Sequence, residues 1–216
     1  MFVCWSVKGG SGTTVVAAAL AIVFSRSRPT LLVDLEGDAS ATLGLDEPRG
    51  PGLYDWLSSS VADAAALERL TVSASERLSV VAPGTPIDAP LDARWAELGA
   101  AMSSNNSAVV VDAGVGVPPP LPDATTLLVI RPCFLALRRA TLAAVRPTGI
   151  VLVTEPGRSL GTDDVERSVG APVVAKVPLD PAVARAADAG LLRTRLPRSI
   201  AHAASLIAAM ADRGCA

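Results

Sequence analysis

Three short stretches hold the residues that could do chemistry. The first is Lys8-Gly9-Gly10-Ser11-Gly12-Thr13-Thr14, set between an apolar run and a long helical pattern. Its glycines allow a tight turn that points several backbone N–H groups at one anion. The helix after it would add its positive N-terminus. Thr14 stands where a phosphate-binding loop places the hydroxyl that ligates Mg²⁺, and Thr13 where such a loop carries lysine. The second stretch is "LLVDLEGDASATLGL", in which Asp34 ends an apolar run, with Glu36 and Asp38 just beyond. Carboxylates beside a phosphate loop can hold Mg²⁺ through water or orient an attacking water. The third is "AVVVDAGVG". Asp112 closes it and can support a metal, while Gly114 could give a backbone N–H to a terminal phosphate. Each stretch also has a purely structural reading: a glycine-rich turn, a solvated acidic loop, and an aspartate capping a turn.

These residues need strands to bring them together. Near-continuous Val, Leu and Ile runs predict strands over Phe2–Val7, Thr30–Asp34, Leu78–Ala82, Ala108–Asp112, Thr125–Ile130, Gly149–Thr154 and Val173–Val177. Helical patterns cover Thr13–Ser25, Leu91–Met102, Leu135–Arg146, Thr162–Val169, Pro181–Asp188 and Pro197–Asp212. Asp180-Pro181 is a start signal, an N-cap and then proline. "DEPRGPG" and "VGVPPPLPD" read as loops. The alternation predicts an α/β, doubly wound, mainly parallel sheet with helices on both faces. Ligands then bind beyond the carboxyl ends of the strands, where all three stretches fall.

Composition narrows the classes. Half of the 216 residues are hydrophobic but only 3% are aromatic, so Ala, Val and Leu must fill the core. Length favours one domain. Cys4, Cys133 and Cys215 lie far apart without metal-ligand spacing, and His202 is the sole histidine. Lysine occurs only at 8 and 176. No secretory signal is visible, and "VVAAALAIVF" is too short to span a bilayer, which predicts a cytoplasmic protein without membrane insertion. Residues 1–110 carry seven Lys/Arg against twelve Asp/Glu, a net −5; residues 111–216 carry twelve against nine, a net +3. A mildly basic second half without a dense basic run reads first as a solvated surface.

Together, "KGGSGTT", "LLVDLEGD", "VVVDAG", "TTLLVIRPCFLALRRA" and "GAPVVAKVPLDPAVARAADAG" resemble the ParA/MinD superfamily of deviant Walker A ATPases. The resemblance spans nearly the whole chain and implies one nucleotide-binding domain over residues 1–216, with ATP and Mg²⁺ as cofactors. It assigns Lys8, Glu36 and Asp38 to catalysis and Lys8, Gly9, Gly10, Ser11, Gly12, Thr13, Thr14 and Gly114 to nucleotide contacts. Thr14, Asp34 and Asp112 fall to the metal. Lys8 resembles the family's extra lysine, which reaches the nucleotide of a partner subunit and so implies an ATP-dependent homodimer. The CpaE/TadZ-like branch, whose members place pilus or secretion assemblies, looks nearest; the protein partner is not identified.

The chain departs from the family at three points. Thr13 replaces the second lysine, Glu36 stands where many members have aspartate, and Thr154-Glu155-Pro156 replaces the asparagine that reads adenine. A hydrogen bond to a charged group is worth about 1.5–3 kcal/mol, so the lost lysine weakens binding about ten- to a hundred-fold. Turnover loses more, because charge on the transferred phosphoryl group must be neutralised. The expectation is a nucleotide-dependent dimerisation switch or positioning factor with slow ATP hydrolysis at most. The alternative is a pseudo-ATPase scaffold that has lost nucleotide. A biosynthetic enzyme of the dethiobiotin-synthetase type lacks an acid/base set here. A MinD-like membrane tail would need a basic face that the last helix, with Arg198 and Arg213 at its ends, does not carry. Arg138, Arg139, Arg193, Arg195 and Arg198 permit nucleic-acid contact without requiring it.

Overall fold

The computed structural model describes residues 1–85, 92–103 and 107–213, apart from the side chains of 92, 93, 212 and 213. Leu91 and Cys215 lie outside the described residues. The elements run β1 (Phe2–Ser6), α1 (Thr13–Ser25), β2 (Thr30–Asp34), α2 (Ala39–Leu43), α3 (Leu53–Ser58), α4 (Ala64–Arg69), β3 (Thr71–Ser75), β4 (Leu78–Val81) and α5 (Asp92–Ser103). Next come β5 (Ala108–Val115), β6 (Thr125–Ile130), α6 (Phe134–Leu142), β7 (Gly149–Thr154), α7 (Thr162–Val169), β8 (Val173–Pro178), α8 (Pro181–Asp188) and α9 (Arg198–Arg213).

The strands form one sheet in the order β3-β4-β2-β5-β1-β6-β7-β8. Every pairing is parallel except β3 with β4. The α/β, mainly parallel architecture is therefore the one its hydrophobic pattern predicts. Alternation along each strand feeds two cores. Phe2, Cys4, Leu127 and Val129 pack on one face with α1 and α9; Val3, Trp5, Leu128 and Ile130 pack on the other with α3, α5, α6 and α7. Alanine makes the first layer thin: Ala17, Ala18, Ala19 and Ala21 of α1 are wholly buried, so that helix nests between the sheet and α9. The apolar stripe of α9, Ile200, Ala203, Ala204 and Ile207, is spent on this core.

The structure departs from the sequence reading in four places. An edge strand, β3, joins the sheet; only Ala74 of its five residues is buried, so it lacks the apolar run that marks the others. Three short helices, α2 to α4, fill the stretch around "DEPRGPG". β5 runs three residues past Asp112. α6 stops at Leu142 rather than Arg146, with Ala143 already extended. Pro147 accounts for this, because a proline ring in a helix collides with the carbonyl four residues back.

The switch point lies at β1, flanked by β5 and β6. There the ends of β1, β2 and β5 come side by side, with Cys4 and Asp34 both in register with Asp112.

Candidate functional site

The loop after β1 is shaped by two left-handed glycines, Gly10 at φ 75° and Gly12 at φ 89°. Side chains rarely adopt this conformation, whereas glycine does so freely. The loop is tied down from inside: the Ser11 hydroxyl donates to the Lys8 carbonyl at 2.7 Å. The buried Ser6 hydroxyl lies 3.2 Å from both the Lys8 and the Gly114 carbonyls, bridging this loop to the end of β5. Helix α1 starts from Gly12 with no side-chain cap and no acidic residue in its first turn. Among the described residues no side chain caps its first N–H groups, an arrangement suited to an anion.

Two fully buried aspartates stand together at the ends of β2 and β5. Asp34 is saturated: Oδ1 accepts from the N–H of Glu36 at 3.0 Å and of Gly37 at 2.8 Å, and Oδ2 from Ala39 at 2.9 Å. Burial raises its pKa, and these N–H donors oppose the rise. Asp34 therefore shapes the loop carrying Glu36 and Asp38, and both its oxygens are engaged before any metal arrives. Asp112 differs. Its Oδ1 accepts from Gly114 N–H at 3.2 Å, but the buried Oδ2 has no hydrogen-bond partner among the described residues. Burial pushes its pKa up to about 6; the neighbouring Thr14 hydroxyl opposes this, and the charges of Asp34 and Glu36 add to it. Burial also raises the Cys4 thiol, with Asp112 adding to the effect.

Among the described residues no group of three His, Cys, Asp or Glu side chains could hold a metal unaided. The Thr14 hydroxyl beside an orphaned Asp112 oxygen instead fits Mg²⁺, which usually keeps several waters and takes phosphate oxygens as ligands.

Glu36 and Asp38 are exposed at the rim. The Glu36 side chain lies so close over Gly114 that a Cβ there would collide with its carboxyl group. Its Oε1 accepts from Val115 N–H at 3.4 Å. Gly114, at φ 56°, is thus required both by its backbone conformation and by this contact. Its N–H, expected to face a phosphate, here serves Asp112. Asp38 stands at the N-cap of α2 without a side-chain cap bond.

A cleft of roughly 580 Å³ opens over this set. Gly9, Gly10, Gly12, Thr13, Thr14, Glu36, Asp38 and Gly114 line it, with Thr42 and Asp188 on the far wall. The structure thus gathers most of the expected residues on one cleft. Asp34 and Asp112 lie buried behind it, and the half-buried Lys8 is outside its lining. Thr13 lines the cleft but is only 6% exposed. Sequence reasoning missed Ser6; a hydroxyl ending an otherwise apolar strand was the available signal. It also missed Tyr54, whose hydroxyl donates to the Leu35 carbonyl and braces the acidic loop.

The arginine pairs expected to suit nucleic acid are partly used inside the fold. Arg193 donates to the carbonyls of Leu43 and Ala74, and Arg139 to that of Val7. No helix among the described residues is long and apolar enough to cross a membrane.

No protein of curated function matches the chain. Solved structures do. A ParA family ATPase from Chlorobium tepidum is 20% identical with a TM-score of 0.77, covering 97% of this chain and 98% of its own. The MinC:MinD cell division complex from Aquifex aeolicus gives 19% identity and a TM-score of 0.73 over 98% of this chain and 96% of the other. The septum site-determining protein MinD with Mg-ADP from Pyrococcus horikoshii gives 19% and 0.70, over 99% and 97%. At these identities the likeness establishes the fold. The model of the CobQ/CobB/MinD/ParA nucleotide-binding domain matches residues 2–193. The chain therefore belongs to the CobQ/CobB/MinD/ParA family of nucleotide-binding domains.

Proposed function

We propose that this chain, as a single domain, is a ParA/MinD-type switch that binds Mg-ATP weakly, turns it over slowly if at all, and uses nucleotide to control self-association while positioning a cellular assembly. The observation that carries the reading is the pairing of an uncapped α1 N-terminus with the Thr14 hydroxyl and the unpartnered Asp112 oxygen. The MinD of known structure with Mg-ADP and the MinD bound to MinC support it by their likeness. The CpaE/TadZ-like branch remains the resemblance that best accommodates Thr13.

In this reading the Gly9–Thr14 loop surrounds the phosphates with N–H groups. Thr14 and Asp112 are the residues that would hold the metal. Asp34 keeps the Glu36–Asp38 loop in place and so acts on the metal from behind. When bound, Mg²⁺ would supply part of the charge neutralisation that Thr13 cannot. Glu36 and Asp38 are the groups placed to orient water, but Glu36 must first leave the Val115 N–H. That displacement and the missing lysine both oppose fast turnover. Lys8 has two available jobs: to reach phosphate in a second copy, or to fold back onto its own ligand. The first job is favoured because Lys8 precedes the glycines and stands outside the cleft lining.

The test is calorimetry with ATP and Mg²⁺, combined with light scattering of wild type and Lys8→Ala. Nucleotide should raise the dimer fraction, and Lys8→Ala should abolish that rise. Weaker binding in Lys8→Ala with an unchanged monomer mass would assign the cis role. The second reading, a scaffold without nucleotide, is favoured by Glu36 already occupying the Gly114–Val115 backbone. Absence of binding at millimolar ATP would select it.

A further inference from the structure

A second hollow, of about 150 Å³, adjoins the first at the glycine loop, sharing Gly10, Gly12 and Val15 with it. Gly10, Ser11 and Gly12 form its roof, and Val153, Val177 and Ile200 much of its apolar wall. Arg131 also lines it, in the residue position just past β6. Along β6, Leu127 and Val129 face the core under α1, whereas Leu128 and Ile130 face the opposite one. Arg131 extends the first row, toward the loop and α1.

The surroundings of Arg131 are unusual for a cation. Arg131 is half-buried, and its buried Nε has no hydrogen-bond partner among the described residues. The carboxylate nearest at hand in the hollow, Asp180, is engaged elsewhere: Oδ1 accepts from Ala182 N–H and Oδ2 from the Ser199 hydroxyl, each at 2.8 Å. A guanidinium against apolar walls is costly unless an anion completes it. Arginine's planar fork suits phosphate oxygens in particular.

We propose that Arg131 supplies, within the same chain, the positive charge that Thr13 withholds, by binding the phosphates of a nucleotide seated on the Gly10–Gly12 loop. The inference rests on the nucleotide-binding reading above and adds a residue to it. The cation then stands at the end of β6 rather than in the loop itself. Binding then survives the loss of the lysine, and Lys8 is left available for a second chain.

Arg131→Met and Thr14→Ala, titrated with Mg-ATP and with Mg-pyrophosphate beside the wild type, test this. Arg131→Met should bind both ligands about ten- to a hundred-fold more weakly, the loss expected for one hydrogen-bonded charge. Its ligand-free melting midpoint should equal or exceed that of the wild type, since an uncompensated cation has been replaced by an apolar chain. Unchanged affinity in Arg131→Met, with binding lost in Thr14→Ala, overturns the role of Arg131 and leaves the nucleotide reading standing. Weakened ATP but unchanged pyrophosphate binding also overturns it, by moving the contact off the phosphates. An Arg131→Met chain that fails to fold overturns it too, because the arginine would then serve the fold. No binding by the wild type removes both proposals.

Discussion

Asp34 and Asp112 occupy matched positions at the ends of neighbouring strands, in register and equally buried. Yet Asp34 accepts three backbone N–H bonds, whereas Asp112 keeps one oxygen without a partner. The difference arises from the path of the backbone beyond each aspartate. After β2 the chain turns at once through Glu36, Gly37 and Ala39, and its N–H groups fold back onto the carboxylate. After Asp112, β5 continues to Val115: the Gly114 N–H turns back to the carboxylate, whereas that of Val115 goes to Glu36. A strand-end aspartate is thus committed to structure or left for a ligand by the local course of the chain.

The sharpest way to break this comparison is to delete each carboxylate. Asp34→Ala would leave three N–H groups unsatisfied, at a cost of about 3–5 kcal/mol. Chemical denaturation should register it with or without nucleotide. A loss below about 1 kcal/mol, within the range of ordinary substitutions, would mean that the loop does not depend on Asp34.

Asp112→Asn should act in the opposite direction. Its carboxyl has a folded-state pKa of about 6, above the ordinary 3.8, so the folded state binds that proton more tightly. The metal-free wild type therefore keeps the full stabilising contribution below pH 3.8 and loses it as pH rises through about 6. At pH 7.5 with a chelator, Asp112→Asn should be more stable than wild type by about 1–3 kcal/mol. Its stability should fall less between pH 4 and 7, and it should lose the Mg²⁺ dependence of binding. Identical pH profiles would contradict the assignment.

The fold was largely legible in the sequence, because fully buried parallel strands show up as unbroken Val/Leu/Ile runs such as "LLVD" and "AVVVD". α2 to α4 were not, since five- and six-residue helices show too few turns for a period. At the site, the convergence of Thr14 and Asp112 came from strand-end geometry. The split between the two aspartates did not, because it depends on individual N–H directions. Nor did the contact of Glu36 with Gly114, made by residues 78 positions apart.

Two smaller effects sharpen the picture at the rim. Thr13→Lys should tighten Mg-ATP binding by about ten-fold or more. Glu36→Gln, which removes a negative charge from the Val115 N–H, should tighten it by about two- to five-fold, as expected for one exposed charge. Weaker binding in Glu36→Gln would show that the carboxylate serves the ligand rather than competing with it.

The most direct test of the central claim is calorimetric titration of the wild-type chain with ATP, in Mg²⁺ and in a chelator. Binding should be saturable below about millimolar ATP in Mg²⁺, and lost in the chelator and in Thr14→Ala. No heat of binding at millimolar Mg-ATP, or binding indifferent to Mg²⁺ and to Thr14, would contradict it.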